Sequence, residues 1–354
     1  MIGSVARGEP VFITSALHRQ PVAAPPHPLA VQRAPLAEDL ARALGWLEER
    51  HCRAAPQANR AALERFHTPA YLDALAVAEA MQDLPLADRQ RFGIGVESNP
   101  IHPALYRRPA VAAGGSILAA ELTAQGGTVF FPCGGNHHAM SARASGFCFI
   151  NDAVLGLLRW QSLGLRRIAY VDFDAHHGDG VEAAFADQPD IMTLSMHEAG
   201  RWPRTGTESD PARGVLNFPV PPGFDDARFA RLLDETIIPA LIAHRPEAIM
   251  LLAGADALAD DPMARLALSN RALWRALAAI SPLCPRLIVL GGGGYNPYAV
   301  ARCWAGLWGI LTDQPIPRVL PEAALDVLAG IRYFRAQGRN PPARWLTTLA
   351  DDIG

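Results

Sequence analysis

Three acidic residues and two histidines directly follow one short apolar segment of the chain. Residues 167–171 are rich in β-branched and aromatic side chains and predict a buried strand, after which the sequence reads Asp-Phe-Asp-Ala-His-His-Gly-Asp. Asp174 and His176 are two residues apart, so their side chains point to the same side of an extended backbone. A carboxylate oxygen and an imidazole nitrogen placed in this way suit a divalent ion such as Zn²⁺. The alternative is a polar turn between a strand and a helix, with Asp179 near the helix start.

Two adjacent histidines, His137 and His138, follow another strand-like segment, residues 128–132, on a glycine-rich turn. Glycine permits the unusual backbone that would aim both rings at one spot. Imidazoles beside a water molecule at a metal ion can serve as general base and general acid. Asp172 and Asp179 could each accept the remaining N–H of one imidazole, which fixes its tautomer and raises its basicity. An isolated pair of histidines is commonly a surface accident, but its position after a strand favours a functional pair.

Asp256 follows the buried strand-like segment 248–253 and is a natural third protein ligand. A catalytic zinc ion takes three protein ligands and keeps one position open. Considered alone, an aspartate at this place would be better explained as a helix cap. Ala257 and Leu258 follow it, so the second carboxylate that a two-metal amidino-hydrolase would need is absent. The sequence therefore favours a centre with one metal ion.

Tyr295 follows four consecutive glycines, which come directly after the strand-like segment 287–290. The glycines leave the chain free to turn the phenol toward a metal ion. A phenol in that position can donate a hydrogen bond to the oxyanion that forms when water attacks an amide. A phosphate-binding loop is the alternative, but the segment lacks both the Lys-Ser/Thr pair and the GxGxxG spacing.

Composition excludes several classes of function. The chain has 354 residues, is 50% hydrophobic and carries a formal net charge of −3, and its basic residues form no long cluster, which argues against a nucleic-acid partner. No stretch approaches the roughly 20 apolar residues of a membrane span, and no signal-peptide core is present at the N-terminus. Five cysteines without CxxC spacing predict neither a disulfide framework nor a cysteine zinc cluster. We expect a soluble, cytoplasmic protein with no membrane partner; its oligomeric state is open.

Strand-like and helical segments alternate along the chain and predict a doubly wound α/β domain. Most strand-like segments are continuous apolar runs, as expected for a parallel sheet covered by helices on both faces. The strand-like segments are 11–14, 128–131, 168–171, 191–194, 215–218, 248–253 and 287–290. The helical segments are 36–49, 69–81, 108–124, 152–163, 225–244, 270–280 and 297–311. We predict one catalytic domain over residues 1–354, with a core at about 10–312 and a tail at 321–354 formed by a helix and a loosely packed end.

Taken together, these segments resemble the zinc-dependent histone deacetylase superfamily, which includes bacterial acetoin-utilisation and acetylpolyamine deacetylase relatives. The resemblance extends from about His27 to about Gly309. The matching pieces are His27-Pro28 with Arg33, residues 65–72, 134–138, 145–152, 172–180, 254–256 with 261–263, and 291–296 with 301–304. The resemblance implies the arginase/deacetylase fold, in which an eight-stranded, mostly parallel sheet is flanked by helices.

The resemblance also implies two cations. One Zn²⁺ per chain would be held by Asp174, His176 and Asp256. A structural monovalent cation, usually K⁺, would lie near the zinc. Its implied ligands, partly through backbone oxygens, are Asp172, Asp174, His176 and Ser195.

The catalytic residues implied by the resemblance are His137, His138, Tyr295, Asp172 and Asp179. In the family the second tandem histidine, here His138, is usually assigned as general base and then acid, and the first, His137, is largely electrostatic. Asp172 and Asp179 would support His137 and His138 respectively. Tyr295 matches the tyrosine that polarises the substrate carbonyl, where some weakly active relatives carry histidine. Arg33 matches an arginine of the channel behind the metal.

The tunnel for the acyl-lysine side chain is implied in the same way. Gly146, Phe147 and Met263 match positions that line it, and flat aromatic walls bury the lysine stem at about 0.8 kcal/mol per CH₂. Trp202 stands where many members have a second phenylalanine, a departure shared with some polyamine-acting relatives. Met263 stands where an acid would attract a second ammonium group, which argues against polyamines. At the rim, where the family often has an aspartate that grips the substrate backbone, this chain has Glu97; either Glu97 takes that role or the peptide is anchored differently.

The expected activity is zinc-dependent hydrolysis of the amide of Nε-acetyl-lysine, or lysine with another short acyl group, in a protein or peptide. The alternative is a deacetylase of acetylpolyamines or other small acetylated amines. A third hypothesis is a catalytically silent binder of acyl-lysine. Such a binder would have lost a metal ligand or the tyrosine, and this sequence retains all of them.

Overall fold

The buried apolar segments of the chain form the strands of one parallel sheet. A computed structural model describes residues 8–22, 27–96 and 98–351, apart from the side chain of Gln337. Its strands are β1 (Val11–Thr14), β2 (Cys52–Ala54), β3 (Gly127–Phe131), β4 (Ile168–Asp172), β5 (Ile191–Glu198), β6 (Val215–Val220), β7 (Ala248–Leu252) and β8 (Arg286–Leu290). They form an eight-stranded sheet in the order β2-β1-β3-β8-β7-β4-β5-β6, and every neighbouring pair is parallel.

Helices connect these strands and cover the sheet. The α-helices are α1 (Arg33–Ala43), α2 (Arg60–Leu63), α3 (Pro69–Met81), α4 (Leu86–Phe92), α5 (Arg107–Leu122), α6 (Asp152–Ser162), α7 (Asp179–Phe185), α8 (Asp226–Leu232), α9 (Ile238–His244), α10 (Asn270–Ile280), α11 (Pro297–Leu311), α12 (Glu322–Ala329) and α13 (Ala343–Thr347). A π-helical turn, Leu233–Ile237, joins α8 to α9. Within the described ranges, no helix has both the length and the apolar character needed to cross a bilayer.

Both faces of the sheet are buried, which explains the continuous apolar runs of the sequence. Successive residues of a strand belong in turn to two hydrophobic clusters, one on each face of the sheet. The cluster on one face contains Phe12, Phe130, Val171, Leu251 and Val289. The cluster on the other face contains Ile13, Val129, Tyr170, Met250 and Ile288.

The elements that the sequence did not predict are short. Strand β2 was missed because Arg53 and Ala54 are exposed and form no apolar run. The predicted helix 36–49 was wrong at its end, since α1 stops at Ala43. Gly45, which has a φ of 74°, turns the chain there, and the N–H of Trp46 then donates to the oxygen of Ala41.

The C-terminal segment is packed into the core as far as Asp351, the last described residue, so the expectation of a loosely packed end was wrong for the described part. Trp345 is 3% exposed and its ring stacks on Tyr298, with centroids 5.4 Å apart. Arg302 and Asp351 form an ion pair of 2.7 Å in which both side chains are almost fully buried. The assignment of the whole chain to one catalytic domain stays a prediction.

Replacing Trp345 by alanine should lower the free energy of unfolding by about 3–5 kcal/mol, because it removes a buried indole that also hydrogen-bonds Asp260. Urea denaturation of the variant measures this loss. Phe334→Ala is the control, because Phe334 belongs to the same C-terminal segment but is 62% exposed. It should change the stability by no more than about 0.5 kcal/mol. Equal effects of the two changes would contradict a packed tail.

Candidate active site

The four neighbouring strands β3, β8, β7 and β4 bring together the loops that follow their carboxyl ends. This is the edge where ligands bind in parallel α/β sheets. The side chains gathered there are His137 and His138 after β3, Asp174 and His176 after β4, Asp256 after β7, and Tyr295 after β8. Strand order therefore unites residues that lie as much as 158 positions apart in the chain (295 − 137).

Backbone N–H groups from neighbouring loops hold the two carboxylates of this site. The N–H of Gly293 donates to Asp174 Oδ2 at 2.7 Å, and the N–H of Ala175 donates to Asp256 Oδ1 at 2.9 Å. A Cβ atom at Gly293 would overlap Asp256 Oδ2, so only glycine permits this close approach. One oxygen of each carboxylate is thereby fixed, and the other is oriented toward His176.

Asp174, His176 and Asp256 form a candidate metal site. His176 Nδ1 lies 3.1 Å from Asp174 Oδ1 and 3.0 Å from Asp256 Oδ2, and one ligand atom from each residue lies within 4.8 Å of the others. Burial lowers the pKa of His176, but the hydrogen bonds to both carboxylates raise it to about 10. Burial and the charge of Asp174 raise the pKa of Asp256 to about 6. Two buried carboxylates this close require positive charge between them, and two oxygens with one imidazole nitrogen suit Zn²⁺.

The tandem histidines differ in protonation. Each Nδ1 lies 2.7 Å from a carboxylate oxygen, that of Asp172 for His137 and that of Asp179 for His138. Burial lowers the pKa of His137, but Asp172 and Asp174 raise it to about 9. Burial and the neighbouring charge of His137 lower the pKa of His138 to about 4. At neutral pH, His137 is therefore a cation and His138 a neutral acceptor.

Sequence reasoning missed the residue that fixes the turn of the tandem histidines. The buried carboxylate of Asp152, in the first turn of α6, accepts the backbone N–H of Gly135 at 3.0 Å and that of Asn136 at 2.8 Å. It also accepts the hydroxyl of Ser116 at 2.5 Å. An acid at a helix start is ordinarily explained by the helix itself, so only its place in a family-like segment could have drawn attention to Asp152.

Two further supporting residues were also missed. Tyr170 donates its hydroxyl to Asp172 Oδ2 at 2.7 Å, so it holds the carboxylate that His137 uses. Asp261 accepts the N–H of Tyr295 at 2.6 Å and that of Met263 at 2.8 Å. Asp261 therefore ties the loop of the candidate phenol to the loop of Met263.

A cavity of about 620 Å³ connects the site to the surface. The cavity is lined by the predicted substrate-binding residues Gly146, Phe147, Trp202 and Met263, together with His138, His176 and Tyr295. The Trp202 ring lies 4.6 Å from that of His138, and a Cβ atom at Gly146 would overlap the indole. Phe147 has a φ of 67°, and its N–H donates to Asn99 Oδ1 at 2.9 Å. The aromatic walls are thus held by a close glycine contact and by a buried asparagine.

Tyr295 also lines cavities other than the one that opens to the surface. Besides the cavity to the surface, it borders an inner cavity of about 60 Å³ that also contains Arg33, Arg108 and Cys133. The guanidinium carbon of Arg33 lies 5.5 Å from the centre of the Tyr295 ring. Burial raises the pKa of Tyr295 well above its usual value, so the hydroxyl remains a hydrogen-bond donor at neutral pH.

The geometry described above does not assign a role to two of the predicted residues, Ser195 and Glu97. Ser195 lies beside Asp172 in the ladder between β4 and β5, and its hydroxyl lies 2.9 Å from His197 Nδ1. Its part in a potassium site stays a prediction. Glu97 lies outside the residues that the structure describes.

Comparison with known proteins agrees with this geometry. Residues 27–311 match the model of the histone deacetylase domain. Histone deacetylase 8 of Xenopus tropicalis is 33% identical over 301 residues, which cover 82% of this chain and 81% of the relative. Histone deacetylase 6 of Arabidopsis thaliana is 39% identical over 269 residues, which cover 72% of this chain and 56% of the relative.

Comparison with solved structures also finds histone deacetylase homologues. The crystal structure of an HDAC homologue from Aquifex aeolicus has a TM-score of 0.91 and 31% identity, with 97% of this chain and 95% of that chain covered. A structure of an HDAC homologue complexed with SAHA gives the same values. The chain belongs to the histone deacetylase family, and the predicted arginase/deacetylase fold is confirmed. The chain is therefore a hydrolase of the deacetylase class, and zinc dependence is typical of its family.

Replacing His176 by alanine should abolish binding of the one Zn²⁺ per chain, because one of the three converging ligands is lost. Elemental analysis of protein dialysed against a limiting zinc concentration measures the stoichiometry. His177→Ala is the matched control. The neighbouring His177 is also buried, but it pairs with Thr205 and Glu182, so this variant should retain the metal. Zinc retained by the His176 variant would contradict the assignment.

Proposed function

We propose that the chain hydrolyses the amide of Nε-acetyl-lysine, or of lysine with another short acyl group, with Zn²⁺ held by Asp174, His176 and Asp256. One observation carries the proposal: a neutral histidine, a protonated phenol and His176, one of the three candidate metal ligands, border a single aromatic-walled cavity that opens to the surface. Bound there, the metal ion would polarise the substrate carbonyl and lower the pKa of water to about 7.

His138 acts as the general base in this proposal. Its Nδ1 is paired with Asp179, so a neutral ring presents Nε2 as the acceptor for a proton from the attacking water. The water oxygen forms a bond to the carbonyl carbon as that proton moves to His138. The C–N bond then breaks, and the same proton passes to the leaving amine. The products are free lysine and a carboxylic acid, which loses the second proton of the water to solvent and becomes a carboxylate.

His137 and Tyr295 stabilise charge. The cationic ring of His137 lies 4.0 Å from that of His138, centroid to centroid, and favours the negative charge that develops on the carbonyl oxygen. It also keeps the pKa of His138 low, so that the base is unprotonated at neutral pH. The hydroxyl of Tyr295 donates a hydrogen bond to the same oxygen, which is stronger in the transition state than in the substrate.

Acyl-lysine is the favoured substrate class, with acetylated polyamines or other small acetylated amines as the second candidate. The relatives are named histone deacetylases, and one HDAC homologue of the same fold was crystallised with SAHA. Met263 offers no charge for a second ammonium group. Trp202 favours the second candidate only through the resemblance, which implies the same residue in some polyamine-acting relatives. We further propose that Glu97 anchors the peptide at the rim and that K⁺ binds near Asp172 and Ser195.

Replacing Tyr295 by phenylalanine should lower kcat on an acetyl-lysine peptide by about 10²–10³, because one donor to the oxyanion is lost. Steady-state assays of the zinc-loaded enzyme on that peptide, with acetylputrescine in parallel, measure the effect and rank the two substrate classes. Tyr298→Phe is the control: its hydroxyl donates to the Ile331 oxygen, away from the cavity, so kcat should be retained. Unchanged turnover in the Tyr295 variant would contradict its role.

The pH dependence of activity should reflect the raised pKa of His137. Activity should fall as the pH rises through about 9, where His137 loses its proton. Asp172→Asn removes the negative charge that holds this proton, so it should move the alkaline limb of kcat/KM to lower pH. Tyr170→Phe removes only a neutral partner of the same carboxylate and should leave the limb in place. An unmoved limb in the Asn variant would show that His137 does not set it.

A further inference from the structure

We propose that the mouth of the active-site cavity contains a binding subsite for a carboxylate, so that the enzyme selects acyl-lysine with an acidic group next to it. This inference rests on the proposed function and adds the class of substrate that the site prefers. It comes from the distribution of charge around the cavity that connects Tyr295 to the surface.

The described lining of this cavity carries more positive than negative charge. Three arginines, Arg201, Arg204 and Arg265, line it, and Glu198 is the one carboxylate among the described lining residues. Arg201 is neutralised by Glu198 through two contacts, of 2.6 Å from Nε to Oε2 and 2.8 Å from Nη2 to Oε1. Two arginines therefore remain without a compensating acid in the described lining.

Glu198 cannot compensate these two arginines as well. It is 4% exposed, and its Oε2 also accepts the backbone N–H of Arg265 at 2.7 Å. Arg201 in turn donates from Nη1 to the Met263 oxygen at 2.8 Å, so the ion pair clamps two loops of the cavity wall together. Arg204 and Arg265 are exposed, and within the described part of the chain neither guanidinium has a hydrogen bond or an ion pair.

A further guanidinium group, that of Arg335, contacts Met263. Arg335 Nη2 lies 3.7 Å from the Met263 sulfur. The acids of the loop before Met263 are engaged elsewhere, since Asp260 pairs with Arg344 and the buried Asp261 accepts backbone N–H groups. Neither acid is therefore available to offset the guanidinium groups at the mouth, and Glu97, in the role proposed above, would be engaged by backbone N–H groups of the peptide.

A carboxylate is the group that this arrangement fits. A guanidinium presents a planar set of donors that matches both oxygens of a carboxylate, and the two exposed arginines line the cavity that leads to Tyr295. An acetylated polyamine carries further ammonium groups, which would meet unpaired positive charge at the mouth. The carboxylate could be a neighbouring acidic side chain of a peptide or the α-carboxylate of free acetyl-lysine, because the chemistry is the same.

Three acetyl-lysine peptides that differ only in their flanking residues, which are glutamate, glutamine or arginine, test the proposal on zinc-loaded enzyme. The kcat/KM should be about 3- to 10-fold higher for the glutamate than for the glutamine peptide, and lowest for the arginine peptide. The difference should lie in KM, since the contacts are remote from the reacting carbonyl, and it should shrink at about 1 M salt. Free acetyl-lysine and its α-amide separate the two sources of the carboxylate, and a preference for either acidic source supports the subsite.

The double variant Arg204→Glu with Arg265→Glu should reverse the order of the glutamate and arginine peptides. The matched control is Arg166→Glu, because Arg166 precedes β4 at the opposite edge of the sheet; it should keep the wild-type order. Equal rates on the three peptides, an unchanged order in the double variant, or acetylputrescine as the best substrate would overturn the proposal. No hydrolysis of any peptide, the glutamine one included, would contradict the proposed function and this inference with it.

Discussion

The structure depends on two buried carboxylates, those of Asp174 and Asp256, held on either side of His176 at about one hydrogen-bond length. Such a pair is unstable without positive charge between its members, because burial and mutual repulsion both oppose ionisation. The fold nevertheless forces the two together, since β4 and β7 are neighbours and each carboxylate is anchored by a backbone N–H of another loop. The strand order, a glycine without a Cβ and two backbone donors thus create one requirement, positive charge between the two carboxylates.

Neighbouring charges also give different pKa values to two chemically identical side chains, those of His137 and His138. His137 faces two carboxylates and keeps its proton, whereas His138 faces one carboxylate and a cationic neighbour and loses its own. An arrangement that pushes the pKa values of a pair apart produces one electrostatic group and one base. The supporting residues Asp152 and Tyr170 act on this pair from outside, by fixing the turn and the carboxylate that the rings depend on.

Much of this could be predicted from the sequence. Continuous apolar runs ending in acids, histidines and glycines gave the parallel sheet and its functional edge, and α3, α10 and α11 begin and end where their patterns predicted. Strand β2 was missed because an edge strand with exposed residues leaves no hydrophobic pattern. The packing of the C-terminal segment was missed because Trp345 and Asp351 are buried by partners that lie far away in the chain, Tyr298 and Arg302.

The candidate site likewise contains residues that the sequence predicted and residues that it did not. The predicted catalytic and zinc-binding residues lie at or shortly after the ends of strands and have unusual types, so the sequence pointed to them. Asp152, Asp261 and Asn99 instead act through backbone N–H groups that no sequence pattern reveals. The charge of the cavity mouth was also invisible, because it depends on which arginine Glu198 neutralises. The most direct measurement of the central claim is a crystal of the zinc-soaked protein, with diffraction recorded on both sides of the zinc absorption edge. One anomalous peak bonded to Asp174, His176 and Asp256 is the predicted result, and a peak elsewhere, or none, would contradict the account.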